Sequence, residues 1–179
     1  MNIAVYCGSK AGNDPVYAEE VKKLGDWMGR RGHRLVYGGG FNGLMGVVAD
    51  SLLAAGGEAV GVLPNVPYIQ SWRHPGLNEW VDTETMAERK TAMIERADAF
   101  FALPGGIGTL DEITEVMALA TLGLLDAPVV FYNVAGYYDK MKELLKDMEE
   151  KGFGRGNYFD KTLFSADLAE IEAFLAPKA

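Results

Sequence analysis

The chain has 179 residues, 49% of them hydrophobic and 23% charged, with 22 glycines and a formal net charge of −8. That length suits one domain with a substantial core and is short for two, and the composition excludes a disordered or fibrous chain. The excess of carboxylates excludes a broad surface for nucleic acid or acidic lipid, so an anionic ligand needs a local device to hold it.

Five short apolar runs read as buried strands: "NIAVYC" (2–7), "RLVYG" (34–38), "EAVGVL" (58–63), "DAFFAL" (98–103) and "PVVFY" (128–132). Helical patterns lie between them. The first has Asp14 as N-cap, Pro15 at the first helical position, Tyr17, Val21, Leu24 and Met28 on one face, and Gly32 to end it. Others cover about 43–55, 85–97, 109–122 and 137–151, with a short one at 168–175. The alternation predicts a single doubly wound, Rossmann-like α/β domain over 1–179, its parallel sheet flanked by helices. Cys7 is alone and has no internal disulfide partner, the N-terminal "MNIAVYCGSK" lacks signal-peptide shape, and no apolar run approaches a membrane span. These features predict a cytoplasmic protein with neither a membrane nor a nucleic-acid partner. Neither His33 nor His74 has ligand spacing around it, so no metal and no cofactor are expected.

In sheets of this kind ligands bind beyond the carboxyl ends of the strands, where the strand order reverses. Three glycine-rich turns fall at such ends: "CGSKAG", "GGGFNGLMG" and "PGGIGT". One would be an ordinary tight turn; three on one edge favour a ligand site. Gly38, Gly40 and Gly43 fit the G-x-G-x-x-G spacing, but Glu58 begins the next strand and no acidic residue ends it, so close packing and ligand contact explain that pattern equally well. In "PGGIGTLDE" (104–112), Gly105, Gly106 and Gly108 allow close backbone approach. Several N–H groups, with the Thr109 hydroxyl, can therefore meet phosphate oxygens at a helix start. The lysine of a Walker A loop is missing, which argues against a nucleoside-triphosphate hydrolase. A competing explanation is structural: Thr109 to Glu112 has the form of a capping box, with Thr109 as N-cap and Glu112 bonding back to its amide. Further upstream, Met86, Arg89 and Met93 share one helical face. An arginine set between methionines is held toward a carboxylate or phosphate, whereas Lys90 points about 100° away.

Taken together, "YGGGFNGLMG", "MAERK" and "PGGIGTLDE" resemble the signatures Y-G-G-G-x-x-G-L-M-G, M-x-x-R-K and P-G-G-x-G-T-x-x-E of the Lonely Guy family. Its members are nucleoside 5′-monophosphate phosphoribohydrolases that also carry the label "lysine decarboxylase-like". The resemblance spans nearly the whole chain, including the Gly8–Ser9 turn and "NVAGYYDKM" (133–141). It implies that Arg89 and Glu112 are catalytic and that Gly105, Gly106, Gly108 and Thr109 bind phosphate. Lys90 and Asp111 line the same site, and Met86, Gly40 and Ser9 complete the expected substrate contacts. It further implies AMP or an N6-modified AMP, of the cytokinin riboside monophosphate type, as substrate. A homodimer is expected through the 109–122 helix and the apolar "MALATLGLLDAP" into which it runs.

The chain departs from plant-type members in two places. "QSWRHPG" stands where they have Pro-Arg-Glu, with Ser71 at the Glu position. "ALATLGLL" replaces "TWAQLGIH", so Ala118, Leu119, Thr121 and Leu125 take the Thr, Trp, Gln and His positions. Two rival functions remain open at this level. One is a carrier or sensor of a phosphate-bearing cofactor, since the fold also resembles molybdenum-cofactor carriers. The other is a pyridoxal-phosphate lysine decarboxylase, which needs a Schiff-base lysine; Lys90 is the only lysine near the motifs.

Overall fold

In the computed structural model, which describes residues 1–176, the five apolar runs form β1 (Asn2–Tyr6), β2 (Arg34–Tyr37), β3 (Glu58–Pro64), β5 (Ala99–Ala102) and β6 (Val129–Tyr132). Two strands that apolar periodicity does not mark, β4 (Glu79–Thr83) and β7 (Thr162–Ser165), close the two edges. The seven strands are parallel throughout, in the order β4-β3-β2-β1-β5-β6-β7. The helices are α1 (Pro15–Arg30), α2 (Gly43–Ala54), α3 (Pro67–Gln70), α4 (Met86–Glu95), α5 (Ile107–Thr121), α6 (Asp139–Glu150) and α7 (Leu168–Leu175). The doubly wound, Rossmann-like α/β expectation is met; β4, β7 and the single turn of α3 are additions to it.

The central strands are continuous apolar runs because both faces of the sheet are covered. Alternate residues of β1 divide between two cores. Ile3 and Val5 pack with Leu24, Met28, Val48 and Leu52 of α1 and α2, while Ala4 and Tyr6 pack with Met93, Ile113 and Val116 of α4 and α5. Phe100 and Phe101 of β5 are fully buried, one toward each core; burial of such a ring contributes about 1.5–3 kcal/mol. α1 starts as its sequence predicts, with the Asp14 carboxylate accepting from Val16 N–H at 3.0 Å and Pro15 in the first turn. It lies so close to α2 that a Cβ on Gly25 would meet the Val48 carbonyl at 2.7 Å, and one on Gly29 the Leu52 carbonyl at 2.7 Å.

This topology decides where a ligand can go. The chain lays β1 to β4 outward in one direction, then returns to place β5 on the other side of β1. The loops leaving β1 and β5 therefore diverge to opposite faces and open a crevice between them.

Candidate active site

A cavity of about 470 Å³ occupies that crevice at the carboxyl edge of the sheet. All three glycine-rich turns reach it: Gly8 and Ser9 after β1, Gly38 and Gly40 after β2, and Gly106 and Gly108 after β5. The turns are tied to one another, since Gly8 N–H donates to the Pro104 carbonyl at 3.1 Å and Leu44 N–H to the Gly8 carbonyl at 3.1 Å. A smaller recess of about 340 Å³ lies alongside, shares Gly8, Ser9 and Gly106, and is closed by Tyr17 and Tyr137.

Arg89 and Glu112 meet on the cavity wall. One turn into α4, Arg89 passes over the end of β3, where its Nε donates to the Val62 carbonyl at 3.0 Å. Its Nη1 donates to Glu112 Oε1 at 2.5 Å, and each side chain is 11% exposed. Gly38 leaves room for this: a Cβ there would meet Arg89 Nη2 at 2.5 Å. Burial raises the pKa of the Glu112 carboxyl above its ordinary value, against the pull of the Arg89 charge and hydrogen bond in the other direction. A carboxylate that is buried, clamped by a guanidinium and open to a cavity suits proton transfer and the stabilisation of positive charge.

The capping-box explanation of Glu112 fails. α5 begins at Ile107 with Gly106 as N-cap and no side-chain cap, three residues earlier than Thr109 as N-cap would set it. Thr109 is thus inside the first turn and buried, and Glu112 lies too far along the helix to bond back to its start. A T-x-x-E pair does cap a helix nearby, at α4: Thr85 Oγ1 accepts from Glu88 N–H at 3.1 Å, and the Glu88 carboxylate accepts from Glu84 N–H at 2.9 Å.

The start of α5 is an anion-binding geometry. Leu110 N–H makes the first intrahelical bond, to Gly106 at 3.2 Å. The N–H groups of Ile107, Gly108 and Thr109 precede it without intrahelical acceptors and lie where the helix dipole is positive. Gly105 cannot be anything larger, because a Cβ would overlap Thr109 Oγ1 and sit 2.9 Å from Gly8 N. Gly106 and Gly108 have open space instead. Gly105→Ala is therefore expected to lower the melting temperature, at a cost of about 1–3 kcal/mol for overpacking, and to weaken phosphate binding. Gly106→Ala should leave the melting temperature within error. A thermal melt and a phosphate titration of both variants check this, and equal melting temperatures would refute the crowding argument.

Of the other residues singled out from sequence, Ser9, Gly40, Met86 and Asp111 line the cavity, and Gly105 lines the adjoining recess. Lys90 is not in the cavity wall. Its ammonium is held by Glu115 at 2.8 Å and Asp111 at 3.1 Å, and these bonds raise its pKa. What sequence reasoning missed is the apolar side of the cavity: Met45, Leu63, Ile69 and Trp72. The signal was available only in part. Leu63 ends a predicted strand, but Ile69 and Trp72 belong to a segment that joins the site through edge strand β4 and through backbone bonds at Gly39 and Phe41. Among the described residues, no three His, Cys, Asp or Glu side chains gather as a cation site.

The family model described as "Possible lysine decarboxylase" matches residues 45–173. The rice (Oryza sativa subsp. japonica) protein named "Probable cytokinin riboside 5'-monophosphate phosphoribohydrolase LOGL1" is 40% identical over 151 residues, 84% of this chain and 68% of that protein. Cytokinin riboside 5'-monophosphate phosphoribohydrolase LOG1 of Arabidopsis thaliana is 39% identical over 151 residues, 84% of this chain and 71% of that protein. Among solved structures, the molybdenum cofactor carrier protein of Chlamydomonas reinhardtii matches with a TM-score of 0.73 and 21% identity over 98% of both chains. The molybdenum cofactor binding protein of Rippkaea orientalis matches with a TM-score of 0.69 and 18% identity, over 98% of this chain and 97% of that one. At such identities the structural likeness speaks for the fold alone. Sequence identity to the plant proteins and the family match over residues 45–173 together establish that this chain belongs to the Lonely Guy family, which also bears the description "Possible lysine decarboxylase".

Proposed function

We propose that the protein hydrolyses the N-glycosidic bond of a nucleoside 5′-monophosphate, releasing the free base and ribose 5-phosphate. The observation that carries this reading is the buried Arg89–Glu112 pair beside an unsatisfied helix start in one cavity. In this reading the 5′-phosphate rests on the N–H groups at the start of α5, with the Thr109 hydroxyl beside them. The base lies against the apolar side formed by Met45, Leu63, Ile69 and Trp72. The anomeric carbon then faces Glu112. As the bond from C1′ to the base nitrogen lengthens, the electron pair leaves with the base and positive charge develops on the ribose. The Glu112 carboxylate stabilises that charge and takes a proton from the attacking water, whose oxygen bonds to C1′; the base leaves with a proton returned from Glu112 or solvent. Arg89 keeps the carboxylate oriented and lowers the cost of its charge in a buried place.

The apolar wall suits a purine, and an N6 substituent without charge, so AMP or N6-modified AMP is the proposed substrate class. A panel of nucleotides, nucleosides and lysine, with products resolved by chromatography, tests this. Equal amounts of base and ribose 5-phosphate are expected from the monophosphates. Base release from none of them would overturn the reading. Lys90 offers little to a lysine-decarboxylase mechanism: a Schiff-base lysine must lose its proton, and two carboxylates hold this one as ammonium.

The active form we propose is a homodimer packed through the end of α5, where Leu122 is 53% and Leu124 72% exposed. Light scattering at micromolar concentration should give twice the monomer mass of 19.4 kDa; a monomer mass would refute it. No helix among the described residues is long and apolar enough to cross a membrane, and a nucleotide substrate suits a cytoplasmic protein.

A further inference from the structure

Two consecutive tyrosines after β6 have no part in the chemistry above, yet one reaches the glycine loop and the other the residue just before it. They follow a 3₁₀ turn, Val134–Gly136, in which Ala135 has φ 50° and ψ 29° and Gly136 has φ 72°. Ala135 is the one non-glycine residue with positive φ among the described residues. Such a residue is strained unless its surroundings hold it. Asn133 does so, accepting from Tyr138 N–H at 2.7 Å and donating to Asp139 at 2.7 Å. The turn brings the Tyr137 hydroxyl to donate to the Gly105 carbonyl, and the Tyr138 hydroxyl to donate to the Leu103 carbonyl at 2.6 Å. The Tyr137 ring is seated edge-on against Tyr17 and Tyr138, at 5.8 Å and 4.9 Å between ring centres.

We propose that Tyr137 is a positioning residue for the anion-binding loop: by holding the Gly105 carbonyl it sets the plane of the Gly105–Gly106 peptide and aims the Gly106 N–H at the substrate's phosphate. In a planar trans peptide the C=O and N–H point in opposite directions. A bond that draws the carbonyl toward Tyr137, on the recess side, turns the N–H toward the cavity that Gly106 also lines. The preceding peptide is set in the same manner, through the bond from Gly8 N–H to the Pro104 carbonyl. A Gly–Gly peptide needs such a clamp. Packing against Thr109 and Gly8 forbids a Cβ at Gly105, and glycines on both sides leave the linking peptide free to rotate. Were it to flip, the phosphate would lose a donor and face a carbonyl oxygen instead.

This inference rests on the reading of the loop as a phosphate site, and its test separates the two. Tyr137→Phe removes the hydroxyl and keeps the ring. Inorganic phosphate and ribose 5-phosphate, titrated by calorimetry, should bind about three- to tenfold more weakly, the scale of one hydrogen bond. KM for AMP should rise by the same factor while kcat stays within about twofold, and the affinity for adenosine should not change. Tyr138→Phe is the control, because the carbonyl it holds precedes Pro104, which has no N–H to aim; it should lower the melting temperature and leave phosphate affinity as it was. Unchanged phosphate affinity in Tyr137→Phe, or an equal loss for adenosine, would overturn the proposal. Phosphate calorimetry requires no turnover, so a parent protein that binds phosphate and releases no base would sink the hydrolase reading alone. A parent that binds no phosphate would sink both.

Discussion

Glu112→Gln is expected to lower turnover of a nucleoside 5′-monophosphate by about two orders of magnitude or more, the scale of a lost acid–base or electrostatic group, in a protein that stays folded. Glutamine has nearly the shape of glutamate and can still accept from Arg89 through its amide oxygen, but it carries no charge and takes no proton from water. Stability at neutral pH should hold or rise, because a raised pKa means that the fold accommodates a neutral group here better than a charged one. The comparison is single-turnover base release, with melting temperature and phosphate affinity measured on the same samples. Near-normal hydrolysis by the folded variant would return Glu112 to a structural role and leave the proton transfer to another group. Arg89→Lys should also be damaging, since one ammonium cannot hold both the Val62 carbonyl and the carboxylate.

The pH dependence follows from the same residue. Burial raises the Glu112 pKa, so kcat/KM should climb through an acidic limb above the ordinary carboxylate range, as the ionised form appears. The sign for stability is opposite. A carboxyl whose folded pKa is raised favours the fold below its unfolded value, and that contribution is lost as pH rises through the folded value. Across this window the protein gains activity while giving up part of its stability. Glu112→Gln should remove the limb.

How far the sequence discloses this site depends on what covers each segment. β1, β2, β3, β5 and β6 are buried on both faces, so their apolar runs stand out. β4 and β7 lie at the edges with mostly half-exposed residues, and "EWVDT" and "TLFS" carry too little apolar pattern to show as strands. Missing β4 hides its consequence, namely that the chain between β3 and β4 folds back over Gly39 to Phe41 and supplies Ile69 and Trp72 to the cavity. The helix start at Gly106 escapes sequence reasoning for a different reason. Capping rules favour a side-chain cap such as Thr109, but a helix whose first N–H groups serve a ligand can begin at a bare glycine. Arg89 and Glu112 are legible because their flanking residues, methionines around one and the glycine loop before the other, set them apart. Tyr137 is not, since a hydroxyl meeting a carbonyl 32 positions earlier in the chain leaves no local pattern.

Adenosine is expected to be hydrolysed with kcat/KM about three orders of magnitude below AMP. Two or three charge-assisted bonds from backbone N–H groups to a phosphate contribute about 1.5–3 kcal/mol each, and about 1.4 kcal/mol is a tenfold change. Those groups lie at the start of α5, away from the bond that breaks, so their binding energy acts by holding the ribose against Glu112. With the phosphate absent altogether, rather than held by one donor fewer, the loss should appear in kcat as well as in KM. A chain of net charge −8 repels a phosphate dianion at long range, so this preference must arise from direct contact at the loop. In the proposed mode the contact is made by peptide dipoles, so a chelator such as EDTA should leave the AMP rate unchanged. Equal rates on AMP and adenosine, or a rate abolished by EDTA, would show that the helix start is not where the substrate is held.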